Sequence, residues 1–115
     1  TDEVREFCAG RGDGLCHVFV PHATAGIAIF ETGAGSDADL VETLERLLPR
    51  DDRYRHAHGS PGHGADHVLP AIVSPSVSIP VQSGTPLLGT WQSVVLVDLN
   101  RDNPRRSVRL SFLDA

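Results

Sequence analysis

The sequence contains no lysine and no methionine, and aromatic residues make up only 5% of its 115 residues. All ten basic residues are arginines, and with fifteen acidic residues they give a formal net charge of −5. This acidic balance argues against nucleic acid and against an anionic membrane surface as the main partner. A run of roughly 18 apolar residues is also missing, so no transmembrane helix is predicted.

Cysteine is scarce as well, because the chain has only Cys8 and Cys16. Two cysteines do not make the disulfide framework of a small secreted domain. Their spacing allows a bridge, but we favour two buried small hydrophobic side chains in a cytoplasmic protein. The length indicates one domain over residues 1–115 with a core of its own. Since the chain enters strand-like sequence directly at Thr1, we expect that a first strand is missing from it.

Short strands are predicted along most of the chain, over 4–9, 15–20, 27–30, 77–81, 91–99 and 106–113. Segment 106–113 alternates apolar and polar residues, which is typical of a strand with one buried face. Strands this short and this close in sequence favour antiparallel pairing. The segment 50–64 is polar, contains glycine and lacks periodicity, which indicates a functional loop.

One helix is predicted clearly, over 37–48, with Ser36 as its N-cap, a capping-box-like partner at Asp39, and Pro49 after its end. Its predicted buried face is formed by Leu40, Val41, Leu44, Leu47 and Leu48. A second, short helix is predicted to start near Asp66 and to reach Val73. The sum is an α+β domain with a mainly antiparallel, sandwich-like sheet, one main helix and one short helix.

Histidine is the enriched residue, since four of the six histidines (His56, His58, His63 and His67) fall within twelve residues. Imidazole is an acid or base near neutral pH and the commonest metal ligand. The spacing matches neither a zinc finger nor a metalloprotease helix. A solvated polar loop and a metal or catalytic site therefore both stay open, although His63 and His67 would share a face of a helix.

A second group of candidate residues follows the strand at 15–20. His22 stands among small residues that leave room for a ligand, and the alternative is a histidine that only caps a strand end. Glu31 ends an apolar strand without an evident structural role, whereas Asp37 suits a helix N-terminus. Carboxylates are the usual ligands of Mg²⁺, and carboxylates mixed with imidazoles suit Zn²⁺ or Mn²⁺.

Two segments of the last third of the chain also attract attention. Trp91 is the only tryptophan, and a single tryptophan in a chain poor in aromatics is most often a core residue. The glycine two residues before it allows a close approach of the backbone. Arg105 and Arg106 follow a proline turn, and either can bind a phosphate bidentately. The alternative for them is an exposed position in a hairpin.

Taken in order, these motifs resemble the YjbQ family, also called the secondary thiamine-phosphate synthase family. The segments that carry the resemblance are HATAG at 22–26 with Glu31, DADL at 37–40, YRH at 54–56, ADH at 65–67, IPV at 79–81, LGTWQ at 88–92 and PR at 104–105. They span nearly the whole chain. The resemblance implies a small α+β sandwich that assembles as a homotrimer, with a further strand before Thr1.

The resemblance also implies a site. The metal ligands are His22, His56 and His67; the catalytic residues are His22, Glu31, Asp37 and His67; the substrate contacts are Thr24, Thr90, Trp91, Gln92 and Arg105. His58 and His63 are not in the shared pattern of the family and carry less weight. The chain departs from that pattern at Ala23, Phe30 and Ala38, where the family often has threonine or serine, asparagine, and proline.

The activity that the resemblance implies joins a pyrimidine pyrophosphate to a thiazole phosphate. Departure of pyrophosphate needs a cation, such as Mg²⁺ on the carboxylates, and an arginine, for which Arg105 is the candidate. Three imidazoles would instead favour Zn²⁺ with an open water position. The resemblance thus implies a metal-dependent transferase for a phosphorylated small molecule. Two alternatives stay open: a trimeric accessory protein that binds a metabolite or metal without catalysis, and a structural trimer with interfacial histidines.

Overall fold

The computed structural model describes residues 1–56 and 59–115. Its elements in chain order are α1 (Asp2–Cys8), β1 (Gly14–Phe19), β2 (Ala25–Phe30), α2 (Ser36–Leu47), α3 (His63–Ile72), β3 (Ser76–Gln82), β4 (Thr85–Pro86), β5 (Ser93–Asp98) and β6 (Arg109–Asp114). Every strand pairing is antiparallel among these residues. The predicted α+β class with antiparallel sheets is therefore confirmed.

The strands form two sheets. One has four strands in the order β4-β3-β1-β6, and the other consists of β2 and β5. The central strand β1 buries Cys16 and Val18 and turns Leu15 and Phe19 outward. Successive residues of a strand point to opposite faces, so this sheet has one buried face and one face towards solvent.

The β2–β5 pair lies between two hydrophobic cores. The first core joins the buried face of the larger sheet to α1 and β2, and Ile27 belongs to it. The second core joins α2 and α3 to the other face of β2–β5, through Ala28 and Val97. Helices α2 and α3 are thereby held on one side of the smaller sheet.

None of the helices described is long and apolar enough to cross a membrane.

The predicted strand at 4–9 is wrong, because the structure has helix α1 there. Val4 and Cys8, four residues apart, are both buried, and Phe7 packs against the same core. Spacings of three and four residues place side chains on one face of a helix, and α1 also has acidic residues in its first turn, which the helix dipole favours. The described chain consequently has three helices rather than the two predicted.

Helix α2 agrees with the prediction in its range but not in all its details. The N-cap is Gly35, and no side-chain capping bond forms, so the capping box expected at Ser36 is absent. The buried stripe is narrower than predicted, since Val41 and Leu47 are 38% and 62% exposed. Helix α3 begins earlier than predicted, at His63, which puts Pro70 near its C-terminal end.

The last two strands are shorter than predicted. Strand β5 begins at Ser93 rather than at residue 91, and β6 begins at Arg109 rather than at residue 106. Trp91 lies in a turn and is 73% exposed, so its interpretation as a core residue is wrong. The alternation predicted for β6 holds at Leu110 and Phe112, which pack against the first core.

Candidate metal centre

Three imidazoles meet at the start of α3. One nitrogen from each of His56, His63 and His67 lies within 4.8 Å of the other two, in an arrangement that can hold a metal ion. The ring centroid of His67 is 4.1 Å from that of His56 and 4.5 Å from that of His63. His63 and His67 are half-buried and His56 is exposed, so the cluster opens to solvent on the His56 side.

Helix α3 supplies two of the three rings. His63 and His67 are four residues apart, which places both on one face of the helix. Their Nε2 atoms are 3.0 Å apart. The third ring comes from the loop before α3, and the contact is close because residue 64 is glycine. A Cβ atom there would lie 2.5 Å from the His56 carbonyl oxygen and 2.6 Å from the Cβ of Tyr54.

The loop that carries His56 is fixed at its beginning. Tyr54 donates a hydrogen bond from its hydroxyl to the carbonyl of Pro49, at 2.8 Å, and burial raises the pKa of Tyr54. Arg50 forms two hydrogen bonds to the carboxylate of Asp66 at 2.5 and 3.1 Å and a third to the Leu99 carbonyl. These bonds connect the loop to α3 and to the end of β5.

Asp66 is the buried anchor of α3. Its side chain is 1% exposed, against 22% for Arg50, and Asn100 donates a further hydrogen bond to it at 2.9 Å. The contact with Asp66 raises the pKa of Arg50 further above its usual range. A carboxylate this deeply buried requires such partners. Their positions fix the first turns of α3, which carry its two histidines.

Asp102 contacts the outer nitrogen of His63. Its Oδ2 lies 2.9 Å from His63 Nδ1 and accepts a hydrogen bond from the Ser60 amide at 3.2 Å. Hydrogen bonding by Ser60, followed by that of His63, holds the pKa of Asp102 below its usual range. The carboxylate is therefore ionised at neutral pH and acts only as an acceptor.

A small cavity of about 110 Å³ adjoins this cluster. Its lining includes His56 and His63 together with Ser60, Asp51 and Asp52. Such a cavity has room for a few water molecules or a small oxyanion beside the rings. A larger cavity of about 370 Å³ lies elsewhere, between α1, β5 and the chain before β6, and its lining is mainly aliphatic.

The structure does not bring His22 into the histidine cluster. Its Nε2 accepts a hydrogen bond from the Ser107 amide at 3.0 Å. Nearby, Arg106 binds both carboxylate oxygens of Asp98 and donates to the Thr24 hydroxyl at 2.7 Å. The Arg106 and Asp98 side chains are 7% and 17% exposed. Their ion pair joins the chain before β6 to the end of β5, and the bond to Thr24 adds the β1–β2 loop.

The remaining predicted site residues are dispersed. Glu31 and Asp37 are exposed, after β2 and in the first turn of α2 respectively. Thr90, Trp91 and Gln92 belong to an exposed turn, closed by a 2.7 Å bond from the Gly89 amide to the Gln92 side chain. Arg105 is also exposed. His58, which carries less weight in the sequence and is not a predicted site residue, lies outside the described residues.

The predicted ligand set omits His63, which lies in the cluster, and it gives no role to Asp102, which contacts His63. The signal for His63 was present, because its spacing from His67 is the spacing of neighbours on a helix. Asp102 had no comparable signal, since it is 39 residues away from His63 in the chain. Of the predicted ligands, the structure brings His56 and His67 together and adds His63 to them.

The fold and the cluster together define a small α+β protein with a three-imidazole centre. The family model described as UPF0047 protein YjbQ-like matches residues 1–115. The UPF0047 protein Mb2586c of Mycobacterium bovis is 78% identical over 114 residues, which cover 99% of this chain and 88% of that protein. The chain therefore belongs to the YjbQ (UPF0047) family, as its motifs indicated.

Solved structures agree with this assignment. The hypothetical protein APE1520 from Aeropyrum pernix K1 is 32% identical, with a TM-score of 0.88 over 100% of this chain and 86% of that one. A YbjQ-like protein of unknown function from Sulfolobus solfataricus P2 is 25% identical, with a TM-score of 0.90 over 100% and 84% of the two chains. Because both matches cover the whole of this chain, the YjbQ-like fold extends over its full length.

Proposed function

We propose that His56, His63 and His67 hold a divalent metal ion and that the protein acts there on a phosphorylated small molecule. The observation that carries the proposal is the approach of three imidazole nitrogens to within 4.8 Å of one another. The donor set favours Zn²⁺ over Mg²⁺, because imidazole suits zinc, whereas magnesium prefers oxygen ligands. Glu31 and Asp37, the carboxylates for a magnesium site, are exposed and outside this cluster.

The spacing of two of the rings fits such an ion. Two nitrogens bound to one tetrahedral zinc at 2.0–2.1 Å are roughly 3.3 Å apart, and the Nε2 atoms of His63 and His67 are 3.0 Å apart. Three protein ligands with a cavity beside them are typical of a catalytic rather than a structural zinc site. When bound, the ion would polarise a substrate oxygen or lower the pKa of a water molecule.

The reaction that the family resemblance implies is thiamine-phosphate formation from a pyrimidine pyrophosphate and a thiazole phosphate. In this proposal the three histidines hold the ion and Asp102 orients His63. Exposed Arg105, unlike Arg106, has no ion pair among the described residues, and its guanidinium suits bidentate binding of phosphate. Product formation from these two substrates by the metal-loaded protein tests the proposal. A protein that binds metal and substrate without product supports the non-catalytic alternative.

Metal analysis of the untagged protein tests the site itself. We expect about one zinc ion per chain by elemental analysis, and loss of that ion in His63→Ala and in His67→Ala. His22→Ala is the matched control, since His22 lies outside the cluster and bonds to the Ser107 amide. Wild-type protein without metal after zinc exposure would refute the site. Loss in His22→Ala and retention in His63→Ala would instead support the set His22, His56 and His67.

We also propose the homotrimer that the resemblance implies. The supporting observation is apolar surface on the outer face of the larger sheet, where Leu15 and Leu113 are paired and are 41% and 69% exposed. Light scattering of the wild-type protein should give three times the chain mass. Leu113→Asp should lower that mass if this face is used, because a carboxylate would then be buried without a partner.

A further inference from the structure

Asp102 has a specific effect on the protonation pattern of His63. The carboxylate is an acceptor only, and its Oδ2 lies 2.9 Å from His63 Nδ1. An unprotonated Nδ1 would place two lone pairs against each other, so Nδ1 carries the hydrogen and donates it to Asp102. The amide nitrogen of Asn100 is 3.5 Å from the same atom, which is beyond the usual length of such a bond.

The consequence appears on the other side of the ring. In a neutral imidazole only one nitrogen carries hydrogen, so Nε2 of His63 presents its lone pair towards His67 Nε2, 3.0 Å away. For two neutral rings, that contact is a hydrogen bond when His67 carries its hydrogen on Nε2. The lone pair of His63 is thereby aimed into the cluster before any ligand arrives.

Asp102 is itself held in place. Its backbone amide donates to the side-chain oxygen of Asn100 at 3.0 Å, and the amide nitrogen of Asn100 donates to the buried Asp66 at 2.9 Å. Asp66 in turn bonds to Arg50. The turn after β5 is thus connected through Asn100 to Asp66 of α3. Asp102 and His63 are therefore held in position by the same network of hydrogen bonds.

We propose that Asp102 is a positioning residue for the three-histidine centre. It fixes His63 in the Nδ1–H tautomer, so that the lone pair of Nε2 is directed at His67. The inference rests on the proposed metal site and adds to it the residue that prepares one of its ligands. A carboxylate behind a ligating histidine generally raises metal affinity by about 10- to 100-fold. A metal between the two rings needs the lone pair of His67 Nε2 as well. His67 must therefore carry its hydrogen on Nδ1 instead of Nε2 once the metal is bound.

Nuclear magnetic resonance of the metal-free, ¹⁵N-labelled protein at pH 8 tests the tautomer directly. We expect His63 to be protonated at Nδ1 and His67 at Nε2, and zinc should change the tautomer of His67 only. In Asp102→Ala the preference of His63 for Nδ1–H should disappear. A purely structural role of Asp102 would leave the tautomer unchanged, so an unaltered His63 spectrum in this variant overturns the inference.

Zinc affinity, measured by competition with a chelator, is the second readout. Asp102→Ala should bind zinc about 10- to 100-fold more weakly than wild type. Asp102→Asn should lose less, because the amide oxygen can still accept from the Ser60 amide and from His63. It also serves as the second variant if the alanine protein does not fold. Asp114→Ala, which removes an exposed carboxylate at the end of β6, should bind like wild type.

The outcomes separate the two proposals. Wild-type protein that binds no zinc overturns the metal site and, with it, the role of Asp102 in it. Wild-type protein that binds zinc while Asp102→Ala binds it equally well overturns the role of Asp102 alone. Weaker binding in Asp102→Ala with partial recovery in Asp102→Asn and a changed tautomer supports both.

Discussion

The buried ion pair between Arg50 and Asp66 allows a quantitative prediction about stability. Arg50→Ala removes two hydrogen bonds from a carboxylate that is 1% exposed and leaves it the bond from Asn100. Removing one partner of a buried pair costs about 3–5 kcal/mol. Since Arg50 is 22% exposed, some water can reach the site, and we expect the lower value, about 3 kcal/mol.

Thermal unfolding followed by circular dichroism measures this effect. For 115 residues the entropy of unfolding is about 0.24 kcal/mol per kelvin, so 3 kcal/mol lowers the Tm by roughly 12 °C. Arg53→Ala is the matched control, because its pair with Asp51 is 60% and 50% exposed, and we expect no measurable change in Tm. Equal shifts in the two variants would refute the reasoning, and Arg50→Met with Asp66→Leu should recover part of the loss.

Three further predictions concern other buried groups. Burial and a neighbouring thiol raise the pKa of Cys16 from 9.0 to about 12, so its thiolate fraction at pH 8 is about 1,000-fold below that of an ordinary thiol. Ellman's reagent should label it only after unfolding, and the stability it contributes should decline as the pH rises from 9 towards 12. Gly26→Ala should cost about 1–3 kcal/mol in urea unfolding, since its Cβ would overlap the Val73 carbonyl; an unchanged midpoint would contradict this. Arg106→Ala should lower the Tm, because it leaves a carboxylate that is 17% exposed without its guanidinium, whereas exposed Arg105→Ala should match wild type.

Much of the secondary structure followed from local patterns. The alternation around Leu110 and Phe112 predicted a strand with one buried face, and the leucines of 40–48 predicted α2. The same reasoning failed at α1, where Val4 and Cys8 were assigned to a strand. A short apolar segment fits both periodicities, and packing against the first core decides between them.

The candidate site was predicted only in part, for a related reason. His56 and His67 were expected to meet, and they do, whereas the structure places His22 against the Ser107 amide and brings His63 into the cluster instead. Sequence spacing reports neighbours within one helix, as for His63 and His67. It does not report which loop lies against that helix, and the approach of His56 depends on the small size of Gly64.

The sequence by itself determined the family, the α+β class, the antiparallel pairing and the enrichment in histidine, because these properties follow from motifs, periodicity and composition. Only the tertiary structure decided which imidazoles lie together and which carboxylate contacts one of them. Asp102 and His63 are 39 residues apart, and Arg106 and Thr24 are 82 apart. Contacts of that range arise when separate elements pack together, and no local pattern encodes them.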